Sequence, residues 1–390
     1  MGTWITMDEA CSLLKVRPQT VYAYASRGKI EVAPDPQDSR RSLYRADDVN
    51  ALAKRKQDGR KAETLANNTM FGAEPSIPTA ISTFVRGRLC YRGQDAVALA
   101  RTATLEDVAG LLWATGQAVE FGAAPQVMPH EPGRISAFVL LATLAATGHS
   151  TRGRLTRVLH EEAQGLVGQL ASCFGAAPRS GTPLHLRFAE GWGLPASVAE
   201  LLRTAMTLLA DHELTSSAFS SRIAASTGAS LPACLLAGLT TFSGPLHGDA
   251  SGLVRALLDE VERLGADTVV DRYLSAGLSI PGFGHQLYPD GDPRAKALLA
   301  LFEPPKAIGK FIAQVESLTG LPPNIDMALA ALVARHRLPA DGAFALFATA
   351  RSVGLLAHGM EQMAVPLVIR PRGRYVGPTP ELPPAGKEPR

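Results

Sequence analysis

Beyond residue 76 the chain places apolar residues at three- and four-residue spacing almost throughout, a pattern that predicts amphipathic helices separated by Gly and Pro turns. Leu105–Leu112, Ile135–Ala146, Val198–Ala210, Leu253–Leu264, Ala307–Leu318, Met327–His336 and Phe344–Met363 all read this way, and few alternating runs compete with them. The predicted fold class is mainly α. Residues 1–57 read as a separate small module. Thr6-Met-Asp-Glu9 is a capping-box pattern opening a helix through Leu13 and Leu14. Pro18 suits the first position of a second helix, through Val21, Tyr22 and Tyr24 to Gly28. Ile30–Val32 and Leu43-Tyr44 pair as a short ribbon around a polar loop, and Asp47–Lys56 is helical again. Residues 58–75, polar with Gly59, Asn67, Asn68 and Gly72, read as a linker. The proline-rich stretch 379–390 has little to bury and is expected to be a mobile tail.

Composition narrows the class without choosing a function. A chain of 390 residues, 46% hydrophobic and 19% charged, suits a globular protein of two or three domains. Its net charge of +3 gives no strongly basic global footprint. Cys11, Cys90, Cys173 and Cys234 stand singly, which argues against a zinc ribbon or disulfide framework and fits a reducing compartment. No apolar run is read as membrane-spanning, and the N-terminus is polar rather than signal-like, so a cytoplasmic location without a membrane partner is expected.

Candidate chemistry sits on a few turns and helix starts. His247 lies in Gly244-Pro-Leu-His-Gly248 and His285 ends Pro281-Gly-Phe-Gly-His285, both on glycine-flanked turns where backbone can approach a ligand. Asp326 follows Asn324-Ile at a helix start; it reads equally as a base or, with Asn324, as a cap. Two imidazoles and a carboxylate can share the proton transfers of carbon–carbon bond chemistry beside a carbonyl. Arg294 follows Asp292-Pro293 and falls in a helix's first turn, where the dipole disfavours a cation by a few tenths of a kcal/mol or so. Arg351 shares a helix face with His358, seven residues on. Arg370 belongs to a basic cluster, and His212 sits in Asp211-His-Glu213.

The order of these motifs from about Ser82 to Gly377 resembles the citrate synthase family. Gly87-Arg-Leu-Cys-Tyr91-Arg92-Gly93, with Glu106-Asp107 and Leu111-Leu-Trp113, looks like the family's first helices; Tyr375-Val-Gly377 closes the series. The resemblance implies a helical homodimer, with a large domain over residues 76–248 and 341–378 and a small domain over residues 249–340. It implies catalysis by His247, His285 and Asp326, with no cofactor and no metal: Asp326 takes a proton from acetyl-CoA, His247 stabilises the enol oxygen, and His285 polarises the oxaloacetate carbonyl. It implies that His212, Arg294, Arg351 and Arg370 hold the dicarboxylate, Arg370 reaching in from the partner subunit, and that Pro281, Gly282, Phe283 and Gly284 wrap the CoA adenine. Citrate, or 2-methylcitrate from propionyl-CoA, would be the product.

Residues 1–57 resemble the winged helix-turn-helix of the MerR and excisionase families. That likeness implies DNA contact through Arg17, Gln19, Thr20, Tyr22, Arg40 and Arg41. Twelve Lys and Arg against eight Asp and Glu over residues 1–61 make a thin footprint for duplex binding, so a docking or assembly module is an open alternative. A metabolite-sensing DNA-binding regulator is therefore the second functional reading. The citrate synthase pattern is broken after His247, where Asp249, Ser251 and Gly252 stand, and Thr215, Gln286 and Pro289 also depart from it. The carboxylate of Asp249 is expected to disturb the protonation of His247.

Overall fold

The computed structural model describes residues 3–14, 16, 18–26, 29–35, 38–53, 77–122, 131–365, 367–371 and 376–378, with backbone alone at Ala23, Ser39 and Arg40. The expected linker over residues 58–75 and the tail over residues 379–390 lie outside the described residues. Two compact units divide the chain, Met1–Pro78 and Thr79–Arg390.

In the first unit β1 (Trp4–Ile5), α1 (Met7–Leu14), α2 (Pro18–Ser26), β2 (Val32–Asp35), β3 (Asp38–Arg45) and α3 (residues 46–53) follow one another. The capping box is formed: Thr6 N–H donates to Glu9 Oε2 at 2.8 Å, and Glu9 N–H to Thr6 Oγ1 at 3.4 Å. Ala10, Leu14, Val21, Ile30, Tyr44 and Val49 make the core. The first strand of the ribbon lies slightly later than the sequence suggests, and the second begins earlier, at Asp38. Val32–Asp35 pairs with Asp38–Arg45, and β1 adds a third strand with Trp4 opposite Arg45. Two residues are too few to display the alternation by which a strand is read.

The second unit opens with an antiparallel sheet, β4 (Ser82–Val85), β5 (Arg88–Tyr91) and β6 (Gln94–Asp95). This corrects the expectation that Gly87–Gly93 belongs to the family's first helices. Arg86 and Gly87 have φ of 50° and 73°, so both central turn residues are left-handed, the conformation that joins two strands tightly. Helices follow: α4 (Ala96–Leu99), α5 (Leu105–Trp113), α6 (Arg134–Thr147), α7 (Thr156–Cys173), α8 (Leu184–Gly191), α9 (Ala196–Leu209), α10 (Ser216–Ser226) and α11 (Leu231–Phe242). After them come α12 (Ala250–Leu264), α13 (Ala266–Ser275), α14 (Pro293–Leu299), α15 (Lys306–Thr319), α16 (Ile325–His336) and α17 (Gly342–Met363).

α17 runs through the main core, buried without a break from Gly342 to Gly359. By length and composition it could cross a membrane, a run the sequence reading did not count, but 94% of its most apolar window is buried within the protein. Trp113 Nε1–H donates to Val353 O at 3.0 Å and ties α5 to its middle. A second apolar cluster lies among α12, α13, α15 and α16, through Val254, Leu258, Val269, Phe311, Val315 and Met327. α16 faces both clusters, since Ile325, Ala328 and Leu329 pack into the main core.

One glycine of α17 is fixed by close approach. A Cβ at Gly354 would overlap Asp211 Oδ1 and the Ala210 carbonyl, and backbone cannot move aside as a flexible side chain would. Gly354→Ala is expected to destabilise the protein by about 1–3 kcal/mol. Thermal unfolding checks this, and an unchanged midpoint would contradict it.

Candidate active site

The end of α9 presents the first histidine. Asp211, fully buried, accepts the Ser82 hydroxyl proton and the Glu213 N–H at 3.1 Å, holding Glu213 at a left-handed φ of 62°. That turn directs His212 toward Tyr288, whose hydroxyl lies 3.0 Å from Nε2. The other Asp211 oxygen lies 3.4 Å from His358 Nε2. Arg222 reaches His358 Nδ1 from the far side at 3.4 Å and pairs with Glu361 at 2.5 Å. His358 thus belongs to a buried charge network behind the site, although it shares a helix with Arg351.

His247 sits in the turn between α11 and α12. Gly248 N–H donates to Phe242 O at 2.8 Å, and the Phe242 ring fills the space a Cβ at Gly248 would need. The His247 ring meets Phe242 edge-on at 5.3 Å, and Nε2 lies 2.8 Å from Ser217 Oγ. Ser217 Oγ is 3.0 Å from Thr215 Oγ1, which accepts Ala218 N–H at 3.4 Å as the N-cap of α10. Run from Ala218 to Thr215, Thr215 to Ser217 and Ser217 to His247 Nε2, the chain is satisfied; the reverse sense between His247 and Thr215, which both hydroxyls can also take, puts the hydrogen on Nε2. In the first sense Nδ1 of His247 carries the proton and faces a ligand as a donor.

His285 is oriented by its own loop, since Leu287 N–H donates to Nδ1 at 3.1 Å and leaves Nε2 to bear hydrogen. Arg294 is the cation set against a helix dipole, and the structure supplies the reason it is tolerated. Asp292 caps α14, accepts Arg294 Nε and Nη2 at 3.0 and 2.8 Å, and also takes Ile325 N–H at 3.0 Å. The ambiguity at the start of α16 is resolved as well. Asn324 is the cap, accepting Asp326 and Met327 N–H at 3.1 and 3.4 Å, which leaves the Asp326 carboxylate free of that duty.

Arg351 donates Nε–H to Leu209 O at 3.0 Å and lies 5.0 Å over the Phe347 ring, while its Nη2 is buried without a partner among the described residues. Asp326 Oδ1 is likewise buried and unpartnered. These residues line one cleft of about 400 Å³: His212, His247, His285, Arg294, Asp326 and Arg351 surround it, with Thr215, Leu246 and Phe347. That volume falls in the range of small-molecule sites.

Burial sets the charges. It pushes the Asp326 carboxyl up to about 6, partly countered by Arg294. Burial and then Arg351 hold the His247 imidazole down at about 4. His285 is lowered by burial and Arg294, and His212 well below its ordinary value by burial, Arg294 and Arg351. The three imidazoles are therefore neutral near pH 7. Burial lowers Arg351 to about 10 and lifts the Tyr288 phenol to about 12, so the first stays charged and the second protonated.

Other expected site residues fall elsewhere. Arg370 is exposed and does not line the cleft. The Pro281–Gly284 loop is clasped to the next segment, with Asn324 N–H donating to Gly282 O, Gly284 N–H to Pro322 O and Asn324 Nδ2–H to Gly284 O at 2.9, 2.9 and 3.1 Å. Those three backbone groups are spent inside the protein. Gln19 and Thr20 lie in the first turn of α2 and Tyr22 is exposed further along it, whereas Arg17 lies outside the described residues and of Arg40 only backbone is described. Arg41 is 3.5 Å from Asp38, and Arg45 pairs with Glu31 at 2.7 Å.

The expectation for Asp249 is corrected. Its Oδ1 accepts Arg134 Nη2–H at 2.7 Å, so the charge is met by an arginine instead of acting on His247. Sequence reasoning missed Ser217, Tyr288 and Arg134. Ser217 is one of several serines around α10, and no spacing distinguishes it.

Comparison with known proteins places these features. A family profile described as the C-terminal domain of citrate synthase matches residues 135–372, and a helix-turn-helix domain profile matches residues 4–57. "Putative citrate synthase 2" of Mycobacterium tuberculosis is 37% identical over 187 residues, covering 45% of this chain and 50% of the relative. The citrate synthase of Haloferax volcanii is 34% identical over 195 residues, 46% of this chain and 51% of its own. The chain thus spans about half the length of the curated relatives it matches. Citrate synthase of Thermotoga maritima superposes with a TM-score of 0.67 at 25% identity, over 81% of this chain and 98% of that one. A ternary complex of carboxymethyl coenzyme A and oxaloacetate with citrate synthase from Thermoplasma acidophilum has the same fold, with a TM-score of 0.65 at 20% identity over 82% and 98%.

Proposed function

The chain belongs to the citrate synthase family, and from that premise we propose that it joins an acyl-CoA to oxaloacetate and hydrolyses the thioester. Acetyl-CoA would give citrate, propionyl-CoA 2-methylcitrate, and CoA is released. The observation that carries this reading is Asp326: a half-buried carboxylate with its pKa raised to about 6 and one buried oxygen unpartnered among the described residues, lining the same cleft as the neutral His247.

A proton beside a thioester is weakly acidic, so a carboxylate removes it only if the developing oxyanion is stabilised at once. Asp326 takes that proton while His247 Nδ1–H donates to the thioester oxygen. The electron pair of the enol carbon then attacks the keto carbon of oxaloacetate, and His285 Nε2–H gives its proton to the oxygen as the carbonyl opens. Water cleaves the thioester afterwards. Arg294, Arg351 and His212 grip the two carboxylates, and the unpartnered Nη2 of Arg351 suits a ligand oxygen.

A second copy of the chain completes the proposal. α6 is apolar along its length but buries only Ser136, Ala137 and Leu141, leaving Ile135 70% exposed. A partner would cover that face and lend Arg370 to the neighbouring cleft. Purified protein is expected to release CoA from acetyl- or propionyl-CoA only when oxaloacetate is present; no release with acetyl-, propionyl- or butyryl-CoA refutes the reading. A metabolite-sensing regulator would need the arginines but no raised-pKa base, so Asp326 favours the enzyme.

A further inference from the structure

Arg134, the first residue of α6, is itself a cation at a positive helix end, and it sits where three helix starts converge. Its Nη2 donates to Asp249 at 2.7 Å and lies 3.3 Å from Asp341. Those two carboxylates occupy the N-cap positions of α12 and α17 without capping either through a side-chain hydrogen bond. The guanidinium carbon stacks 3.9 Å over the Phe344 ring, Phe344 lies 5.7 Å from Phe242, and Phe242 meets His247 edge-on. Two routes therefore lead from Arg134 to one imidazole. The first runs through Asp249, whose N–H closes the His247 turn on Gly244 O at 3.3 Å, and the second through the Phe344 and Phe242 rings, which meet at a tilt. A Cβ at Gly248 would strike the same Phe242 ring, so turn and ring are packed as a unit.

From this geometry we infer that Arg134 is a positioning residue for His247, fixing the turn that presents the imidazole and neutralising the carboxylate two residues beyond it. The inference rests on the reading of His247 as the enol-stabilising group. Without Arg134 the Asp249 carboxylate is unpaired and the turn loses both supports. Arg351 from α17, His212 after α9, His285 before α14, Arg294 on α14 and Asp326 on α16 line the same cleft, with the neutral Ser217 on α10 and Phe242 on α11. All of them persist in an Arg134 variant.

Full-length Arg134→Gln and the double variant Arg134→Gln with Asp249→Asn test this, by steady-state kinetics and by histidine NMR titration of the empty protein. The single variant is expected to lose about tenfold or more in kcat, with the oxaloacetate KM within about threefold of wild type. Its His247 midpoint should move to above about pH 5, and the double variant should return it toward the wild-type value. An unchanged kcat and midpoint in the single variant, or a double variant no better than the single by either measure, overturns the inference. So does a KM that rises in step with the loss of kcat, the mark of general disturbance of the cleft. If wild type releases no CoA, the functional reading fails alone, and the titration still decides whether Arg134 governs His247.

Discussion

Asp326→Asn is expected to lower kcat for CoA release by about 10²–10⁴-fold, with oxaloacetate affinity held within about twofold. The asymmetry follows from the proposed roles: Asp326 would take the carbon-bound proton, while the dicarboxylate would be held by Arg294, Arg351 and His212. Wild-type activity should fall as pH drops through about 6, where Asp326 becomes protonated. Stability should show the opposite face of the same shift. The folded carboxyl holds its proton more tightly than an ordinary aspartate, so its favourable contribution is fully present below about pH 4 and lost as pH rises through about 6. At pH 8 the wild type then carries a penalty of about 3 kcal/mol that asparagine lacks. The variant should melt above wild type at pH 8 and close to it at pH 4. Equal midpoints at pH 8 would show that the carboxylate is not desolvated as described.

Arg351→Gln is expected to weaken oxaloacetate binding by about 100-fold, because a charge-assisted hydrogen bond from a buried cation is worth about 1.5–3 kcal/mol. No protein group among the described residues bonds Nη2 of Arg351, which leaves it available to a carboxylate oxygen. The same logic sets the thermal response. Oxaloacetate should raise the melting midpoint of wild type markedly, and that of the variant much less at equal concentration. Calorimetric titration measures the first effect; a loss below fivefold would place the dicarboxylate elsewhere.

How much of this could be read from the sequence depended on whether the cause was local. Seven helices of the second unit followed from period alone, with small shifts at their ends: Leu105–Leu112 extends only to Trp113 and Phe344–Met363 only back to Gly342, whereas helices such as α7 and α11 were not named from the pattern. The Thr6–Glu9 box and the start of α2 at Pro18 likewise needed no tertiary information. The hairpin of β4 and β5 was misread because its strands are four residues each and the turn signal is a single Arg86-Gly87 pair. Within the site, His212, His247, His285, Arg294, Asp326 and Arg351 were nameable, and the structure brings them to one cleft. Ser217 and Arg134 were not, since each gains meaning from a partner 30 or 115 residues away. Asp249 was visible but misjudged for that reason: its neutralising arginine could not be seen from its neighbours.

The clasp between the 281–284 loop and the start of α16 has a mechanical consequence. Asn324 holds Gly282 and Gly284 through its own N–H groups, while Asp292 joins Arg294 to the Ile325 N–H. His285, Arg294 and Asp326 are thereby three teeth of one gear: the spacing between the proposed proton acceptor and proton donor is machined into a single part. Whatever flexing admits substrate can alter their distance from His247 and Arg351, but scarcely from one another.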